Sequence, residues 1–96
     1  MTAYVVARVK VTDPEQYKRY TALTPDCIAA FGGRFIVRGA DPVTLEGPEF
    51  QDRMVIVEFP SLERAKEFYH SPEYTEIRAL RAEAAVGEFI ALDGVD

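Results

Sequence analysis

The segment EFPSLERAKEFYHSPEYTEIRALR, residues 58–81, predicts the end of a strand followed by two helix starts. Pro60 and Ser61 end the strand, and the Ser61 hydroxyl can cap the free N–H groups of a first helix. Ser71-Pro72-Glu73 repeats that capping chemistry ten residues later. Because one continuous helix does not contain two caps so close together, the sequence predicts a helix that breaks and restarts at a new angle. The inward side of its second part carries Tyr74, Ile77, Leu80 or Arg81, and Ala84.

The N-terminal half begins with a strand and a helix. The odd positions from Val5 to Val11 are all apolar, which is the period-two alternation of a strand. Asp13 and Pro14 then start a helix that Gly32-Gly33 ends. Pro25 lacks an N–H and is expected to bend or interrupt this helix. The buried stripe of the helix is predicted to comprise Tyr17, Tyr20, Thr24, Ile28 and Phe31.

Three further strands are predicted over residues 34–38, 53–59 and 88–93. In the first of them, strict alternation places Phe35 and Val37 on one face and Arg34, Ile36 and Arg38 on the other. Gly87 is expected to close the helix that precedes the last strand. Residues 39–52 form a connection that is long for a hairpin, and loops of this length often carry function.

The order strand, helix, strand, strand, helix, strand predicts an α+β, ferredoxin-like βαββαβ fold in a single domain over residues 1–96. Its four-stranded antiparallel sheet has the spatial order 4-1-3-2, with both helices on one face. The other face, called the open face below, presents Val6, Ile36, Met54 and Ile56 without a cover.

Burying each large aliphatic side chain of the open face is worth about 1.5–3 kcal/mol, so a cover is expected. The simplest cover is a second copy packed sheet to sheet about a two-fold axis, which makes a homodimeric α/β barrel. The alternative is a monomer in which residues 39–52 fold over the sheet.

Composition limits the partners of the chain. Sixteen acidic against eleven basic side chains give a net charge of -5, which argues against nucleic-acid binding. The single cysteine, Cys27, excludes an intramolecular disulfide or a thiolate metal cage and is interpreted as a small buried hydrophobic residue. The first residues are typical neither of a signal peptide nor of a membrane span, so we expect a cytoplasmic protein with no membrane partner.

No nucleophile-base pair, metal-ligand spacing or phosphate-binding glycine loop stands out in the sequence. The sequence therefore predicts no metal and no cofactor, and it leaves open whether the protein is an enzyme.

Many of the same residues resemble the domain-of-unknown-function family numbered 1330 over almost the whole chain. The resemblance is carried by Tyr4, Asp13-Pro14, Tyr17, Tyr20, Gly32-Gly33-Arg34, Arg38-Gly39, Glu46-Gly47, Glu58-Phe59-Pro60-Ser61, Tyr69, Ser71-Pro72-Glu73-Tyr74, Arg78 and Arg81. It implies a dimeric α/β barrel of ferredoxin-like topology and a family without an established reaction. The wider superfamily, related by fold alone, includes cofactor-free monooxygenases, lactone isomerases and haem-degrading enzymes. The family usually has Asp or Asn where this chain has His70, which makes His70 a poor candidate for a shared catalytic base.

Tyrosine and arginine side chains form the best candidate ligand site. Tyr74, Arg78 and Arg81 lie on one side of the second helical segment, and Tyr69 lies just before it. Guanidinium groups beside phenols suit a carboxylate or enolate ligand. Alternatively, the tyrosines pack at the core edge and the arginines pair with acidic residues or with a partner subunit. With Arg38 and Glu46, which flank the long connection and recur in the family-like pattern, the predicted ligand-binding set is Arg38, Glu46, Tyr69, Tyr74, Arg78 and Arg81.

Opposite charges are also predicted to meet on the open face. Arg34 should approach Glu58, and Arg8 and Lys10 should approach Glu88. These neighbours either stabilise the sheet or line a cavity inside the dimer, where Arg34 or Arg38 would bind an anion and Glu58 would act as a base.

Two functions follow from these observations. The first is a small dimeric protein that binds an anionic or aromatic metabolite in a cleft between sheet and helices. The second is a non-catalytic dimeric module with a structural or regulatory role, in which the same residues hold the architecture together.

Overall fold

The computed structural model describes residues 2–95, so Met1 and Asp96, the ends of the predicted domain, lie outside the described residues. The elements run in the order β1 (Ala3–Val11), α1 (Pro14–Ala30), β2 (Arg34–Arg38), β3 (Arg53–Phe59), α2 (Leu62–His70), α3 (Pro72–Ala82) and β4 (Ala85–Asp93).

The four strands form one antiparallel sheet in the order β2-β3-β1-β4, which confirms the predicted strand order. Val5 of β1 pairs with Val57 of β3 and with Ala91 of β4. The odd-numbered side chains from Ala3 to Val9 of β1 and from Val55 to Phe59 of β3 are buried under the helices, as the alternation predicts. This is the ferredoxin-like βαββαβ architecture, and none of the described helices is long and apolar enough to cross a membrane.

Each helix begins at the capping residue that the sequence predicts. Asp13 Oδ1 accepts a hydrogen bond from Gln16 N at 3.2 Å, and Ser61 Oγ accepts one from Arg64 N at 3.1 Å. Ser71 Oγ accepts from Tyr74 N at 3.1 Å and donates to the Phe68 carbonyl at 2.8 Å. Ser71 therefore ends α2 and begins α3, which confirms the predicted break.

The predicted boundary at Gly87 is wrong. α3 ends at Ala82, β4 begins at Ala85, and Gly87 lies within the strand opposite Val9. A Cβ at position 87 would lie 3.0 Å from Phe89 Cε1 and 3.2 Å from Arg81 Nη1. The glycine therefore does not close a helix; it leaves space for the Arg81 guanidinium over the sheet.

The predicted facing of Arg38 on the open face is also wrong. Phe35 pairs with Val57, but Val37 pairs with Ile56 and Arg38 with Val55, because a β-bulge shifts the register between Phe35 and Val37. A shift of one residue exchanges the two faces of a strand. Arg38 consequently lies on the helix face of the sheet, beside α1.

The open face stays largely exposed within the chain. Val37, Ile56, Val6 and Ile90 form one apolar row across all four strands, and Ile90 is 52% exposed. The connection between β2 and β3 reaches this face at Phe50, whose ring centroid lies 4.9 Å from Arg8 Cζ.

We expect Ser71→Ala to destabilise the protein more than Ser61→Ala. Ser61 is half-buried and its hydroxyl makes one capping bond, so its loss should cost about 1 kcal/mol. Ser71 is buried and its hydroxyl makes two bonds, so its loss should cost about 2 kcal/mol. Urea unfolding of both variants measures the difference, and equal losses would show that Ser71 is an ordinary cap.

Candidate functional site

A cavity of about 40 Å³ lies between α1 and the helix face of the sheet. Its volume is roughly three times what one ordered water requires. Strand side chains such as Val5, Ala7 and Val57 supply an apolar floor. The polar side chains that line this core cavity are Tyr17, Tyr20, Thr21, Thr24, Arg38, Arg53 and Tyr74.

Tyr20 of α1 and Tyr74 of α3 meet at the inner wall of the cavity. Their hydroxyl oxygens lie 2.6 Å apart in a buried hydrogen bond, and their ring centroids lie 6.3 Å apart in an edge-to-face arrangement. Burial raises the pKa of the Tyr20 phenol, and the neighbouring Tyr74 raises it further. Burial also raises the pKa of the Tyr74 phenol, although Tyr20 and Arg81 oppose that rise. Both phenols of this tyrosine pair are therefore protonated donors near neutral pH.

Arg81 lies directly behind the tyrosine pair and is only 7% exposed. Its Cζ atom is 4.3 Å from the Phe89 ring centroid and 5.6 Å from that of Tyr20. Its Nε atom is buried and has no hydrogen-bond partner within residues 2–95, and no carboxylate of that part of the chain forms an ion pair with it. A positive charge is thus held in the core by aromatic contacts.

Arg53 occupies the opposite side of the cavity, at the start of β3. Its Cζ atom lies 5.7 Å from the Tyr17 ring centroid, and its buried Nε atom also lacks a partner in the described chain. Gly39 has a φ of 72°, and a Cβ there would collide with Arg53 Nη1. Burial raises the pKa of the Tyr17 phenol, and Arg53 opposes this rise. Gly39 therefore leaves space for the guanidinium of Arg53, which is half-buried.

Arg38 is held at the cavity edge by a carbonyl that a proline leaves free. Pro25 has no N–H to donate to Thr21, four residues earlier in α1. The Thr21 carbonyl instead accepts from Arg38 Nη2 at 3.1 Å and from Thr24 Oγ1 at 3.3 Å. The helix continues through Pro25, so the predicted interruption does not occur. The proline instead provides an acceptor that fixes Arg38, whose Cζ atom also lies 4.4 Å from the Phe35 ring centroid.

Tyr69, Arg78 and Glu46, like Arg81, do not line the cavity. Tyr69 packs against Tyr74 and Phe89 with ring centroids 5.5 and 6.0 Å away, and Arg78 Cζ lies 4.8 Å from the Tyr69 centroid. Glu46 is exposed in the connection between β2 and β3. Of the six predicted residues, Arg38 and Tyr74 line the cavity, and Arg81 lies behind the tyrosine pair. Tyr69 packs against Tyr74, and Arg78 lies over the ring of Tyr69. Glu46 lies apart from these residues, in the connection between β2 and β3.

Sequence reasoning missed Tyr17, Tyr20 and Arg53 as cavity residues. The helical spacing predicts both tyrosines only as part of a buried stripe, although a buried phenol usually needs a polar partner. Arg53 shares the parity of Val55 and Val57, so the alternation of β3 already placed a charge on the buried face. A charge at a core position was the signal that could have identified it.

The charges on the open face form an ordinary surface arrangement. Arg34 Nε lies 3.2 Å from Glu58 Oε1, which confirms the predicted proximity, and the Arg34 side chain is 71% exposed. Arg8 pairs in register with Glu88, while its guanidinium lies over Phe50.

Cys27 is buried as predicted, and burial raises its thiol pKa. Within residues 2–95, no three carboxylate, imidazole or thiol side chains converge into a metal site.

Several solved structures share this fold. A protein of unknown function from Rhodopseudomonas palustris is 24% identical with a TM-score of 0.78, and the match covers 99% of this chain and 83% of that one. SnoaB, a cofactor-independent oxygenase from Streptomyces nogalater, is 14% identical with a TM-score of 0.71, covering 99% and 94%. A dimeric ferredoxin-like protein of unknown function from Bacteroides fragilis is 14% identical with a TM-score of 0.57, covering 97% and 96%.

None of the curated proteins matches the chain. A family model does match, over residues 2–95, and its span includes every strand and helix described above. The chain therefore belongs to the family described as a domain of unknown function, DUF1330.

Proposed function

We propose that the protein is a homodimer that binds a small anionic or aromatic metabolite in the core cavity of each subunit. The observation that carries this proposal is the cavity itself, which is lined by Arg38 and Arg53 together with three phenols. Neither arginine forms an ion pair with a carboxylate of residues 2–95. A concave, mostly apolar space with a few convergent polar groups is the usual form of a small-molecule site. At about 40 Å³ the cavity is smaller than the roughly 150 Å³ that holds a benzene ring, so binding requires α1 to move away from the sheet.

The charge of the cavity favours an anion. The chain as a whole carries a net charge of -5, yet the groups at this cavity are cationic or neutral. Arg38 is exposed and Arg53 is half-buried, and a carboxylate bound at the cavity would pair with both charges. The planar guanidinium fork matches a carboxylate in a bidentate geometry.

The walls of the cavity favour a planar ligand. Tyr17, Tyr20, Phe35, Phe68 and Phe89 all contribute rings to its lining. Aromatic faces bind flat apolar groups by offset or edge-to-face packing. The matching ligand is therefore a small carboxylate or related oxyanion that carries an unsaturated or aromatic portion.

Dimerisation would cover the open face. Val6, Ile56 and Ile90 lie side by side in register, and each is worth about 1.5–3 kcal/mol if it is fully buried. A two-fold axis through this row would bring the same residues of a second copy against it. The similar protein from Bacteroides fragilis is described as dimeric.

Ile90→Glu is expected to convert the dimer to a monomer, because it places an unpaired carboxylate in the apolar row. Sedimentation velocity at micromolar concentration measures the change. Leu23→Glu is the matched control, because Leu23 is 49% exposed against 52% for Ile90 but lies on α1, across the sheet. A wild-type protein that sediments as a monomer, or an Ile90→Glu variant that remains a dimer, would contradict the proposed assembly.

Arg38→Ala and Arg53→Ala are each expected to weaken binding of benzoate about ten- to a hundredfold, because each removes hydrogen bonds to a charged ligand. Isothermal titration calorimetry measures the affinity, and benzamide tests the requirement for charge. Arg19→Ala is the control, because Arg19 is an exposed arginine on α1.

If benzoate, acetate and a wider set of small carboxylates neither bind nor raise the melting temperature of the wild-type protein, ligand binding in this cavity is refuted. Unchanged affinity in both arginine variants would refute the assignment of these residues.

A non-catalytic dimeric module is the second candidate, and a specific observation favours it. Arg38, Arg53 and Arg81 each stack on an aromatic ring of their own chain. Such contacts stabilise a fold without any ligand. In that case, the arginine variants would lose stability in the absence of ligand, and no carboxylate would stabilise the wild-type protein.

A further inference from the structure

We propose that Tyr20 and Tyr74, backed by Arg81, form an oxyanion subsite at the inner wall of the core cavity, and that the ligand presents a phenolate or enolate oxygen to it. This inference rests on the proposed function, in that the cavity must hold a ligand. It differs in naming the chemical group bound at the inner wall and the residues that bind it.

The tyrosine pair has one hydroxyl proton more than its mutual hydrogen bond uses. Two phenols carry two hydroxyl protons, and their mutual hydrogen bond of 2.6 Å uses one of them. The second proton has no recorded acceptor within residues 2–95. Since both side chains line the cavity, that proton is available to a ligand oxygen there. A buried donor without an acceptor is costly, and a ligand oxygen would satisfy it.

The charge of Arg81 determines which kind of oxygen fits. Arg81 is only 7% exposed, and its guanidinium lies near the rings of Tyr20 and Phe89, which help to shield it from water. In such a low-dielectric place its field at the tyrosine pair is stronger than at the surface. Fixed donors and charges of this kind stabilise negative charge on a bound oxygen more than they stabilise a neutral one.

The groups around the pair do not cancel this field. α1 contributes the phenol of Tyr17, α2 contributes the phenol of Tyr69, and α3 contributes Arg81 itself. From β4 the pair is faced by Phe89, and Gly87 leaves the space in which Arg81 lies. No carboxylate of the described chain forms an ion pair with Arg81.

The inner wall and the cavity edge suit different oxygens. At the edge, Arg38 and Arg53 present guanidinium forks, which match the two oxygens of a carboxylate. At the inner wall, Arg81 does not itself line the cavity, and one phenolic proton is available. One proton matches a single oxygen, such as that of a planar phenol or enol packed among the aromatic walls.

The test uses para-nitrophenol, whose phenol and phenolate forms differ in colour, so that absorbance reports the ionisation of the bound ligand directly. The wild-type protein should bind the phenolate at least about tenfold more tightly than the phenol, which lowers the apparent pKa of the bound ligand by about one unit. The double variant with Tyr20→Phe and Tyr74→Phe should remove most of this preference, since it deletes both hydroxyl protons, whereas either single change still leaves one proton for the ligand. The phenyl rings remain, so affinity for the neutral form should change little.

Arg81→Lys keeps a positive charge but loses the planar stack on Phe89 and Tyr20, and it should weaken the preference for the phenolate. Tyr4→Phe is the control, because it removes a phenol from the other face of the sheet and should leave the preference unchanged. Far-ultraviolet circular dichroism and melting temperature confirm that each variant is folded. Should Arg81→Lys fail to fold, the double tyrosine variant still decides the matter.

Equal affinity for phenol and phenolate in the wild-type protein would overturn the proposal, and so would an unchanged preference in the double tyrosine variant. A protein that binds benzoate but neither form of para-nitrophenol would retain the proposed function and lose this subsite. A protein that binds neither ligand would refute the proposed function itself.

Discussion

The helix break at Ser71 is the constraint on which the core of this protein depends. Its hydroxyl closes α2 by donating to Phe68 and opens α3 by accepting from Tyr74. Because residues seven apart lie on one face of a helix, the direction that this cap gives to α3 places both Tyr74 and Arg81 against α1. A continuous helix through residue 71 would give α3 the direction of α2, and the contact between Tyr74 and Tyr20 depends on the new direction.

Once α3 has this direction, the sheet must accommodate a guanidinium group. Gly87 leaves space for the Arg81 guanidinium because it has no side chain, and Gly39 leaves space for Arg53 in the same way. Holding charged groups in a core opposes folding, since desolvation is costly even when aromatic rings contact the charge. A methionine or leucine would pack in such places at lower cost. Arg81 is nonetheless buried and Arg53 half-buried, each with a glycine at a position where a Cβ would crowd its guanidinium.

Local signals explain how much the sequence could predict. Capping residues, Pro14 and the alternation in β1 and β3 act over a few residues, and they were sufficient for the element order and the strand order. The bulge near Ile36 and the role of Gly87 depend instead on neighbours far away in the chain. Alternation alone therefore predicts the wrong face for Arg38. The position of Gly87 near a helix end likewise predicts a cap, whereas the glycine lies inside β4. For the site, a tyrosine and arginine cluster could be predicted, but its members from α1 and β3 become visible only when the helices are packed.

The two proposed surfaces share the same strands, and this links them physically. Along β1, Val5 and Ala7 form the floor of the cavity, while Val6 between them belongs to the open face. Along β3, Val55 and Val57 line the cavity, while Ile56 belongs to the open face. Because side chains alternate strictly, a partner that packs against Val6 and Ile56 also fixes the backbone from which the cavity floor projects. Close-packed interiors transmit small displacements, so a cover on the open face would also restrict movement of the cavity floor. Ligand affinity and subunit association are therefore expected to be coupled through two strands, with no contact required between the ligand and the second subunit.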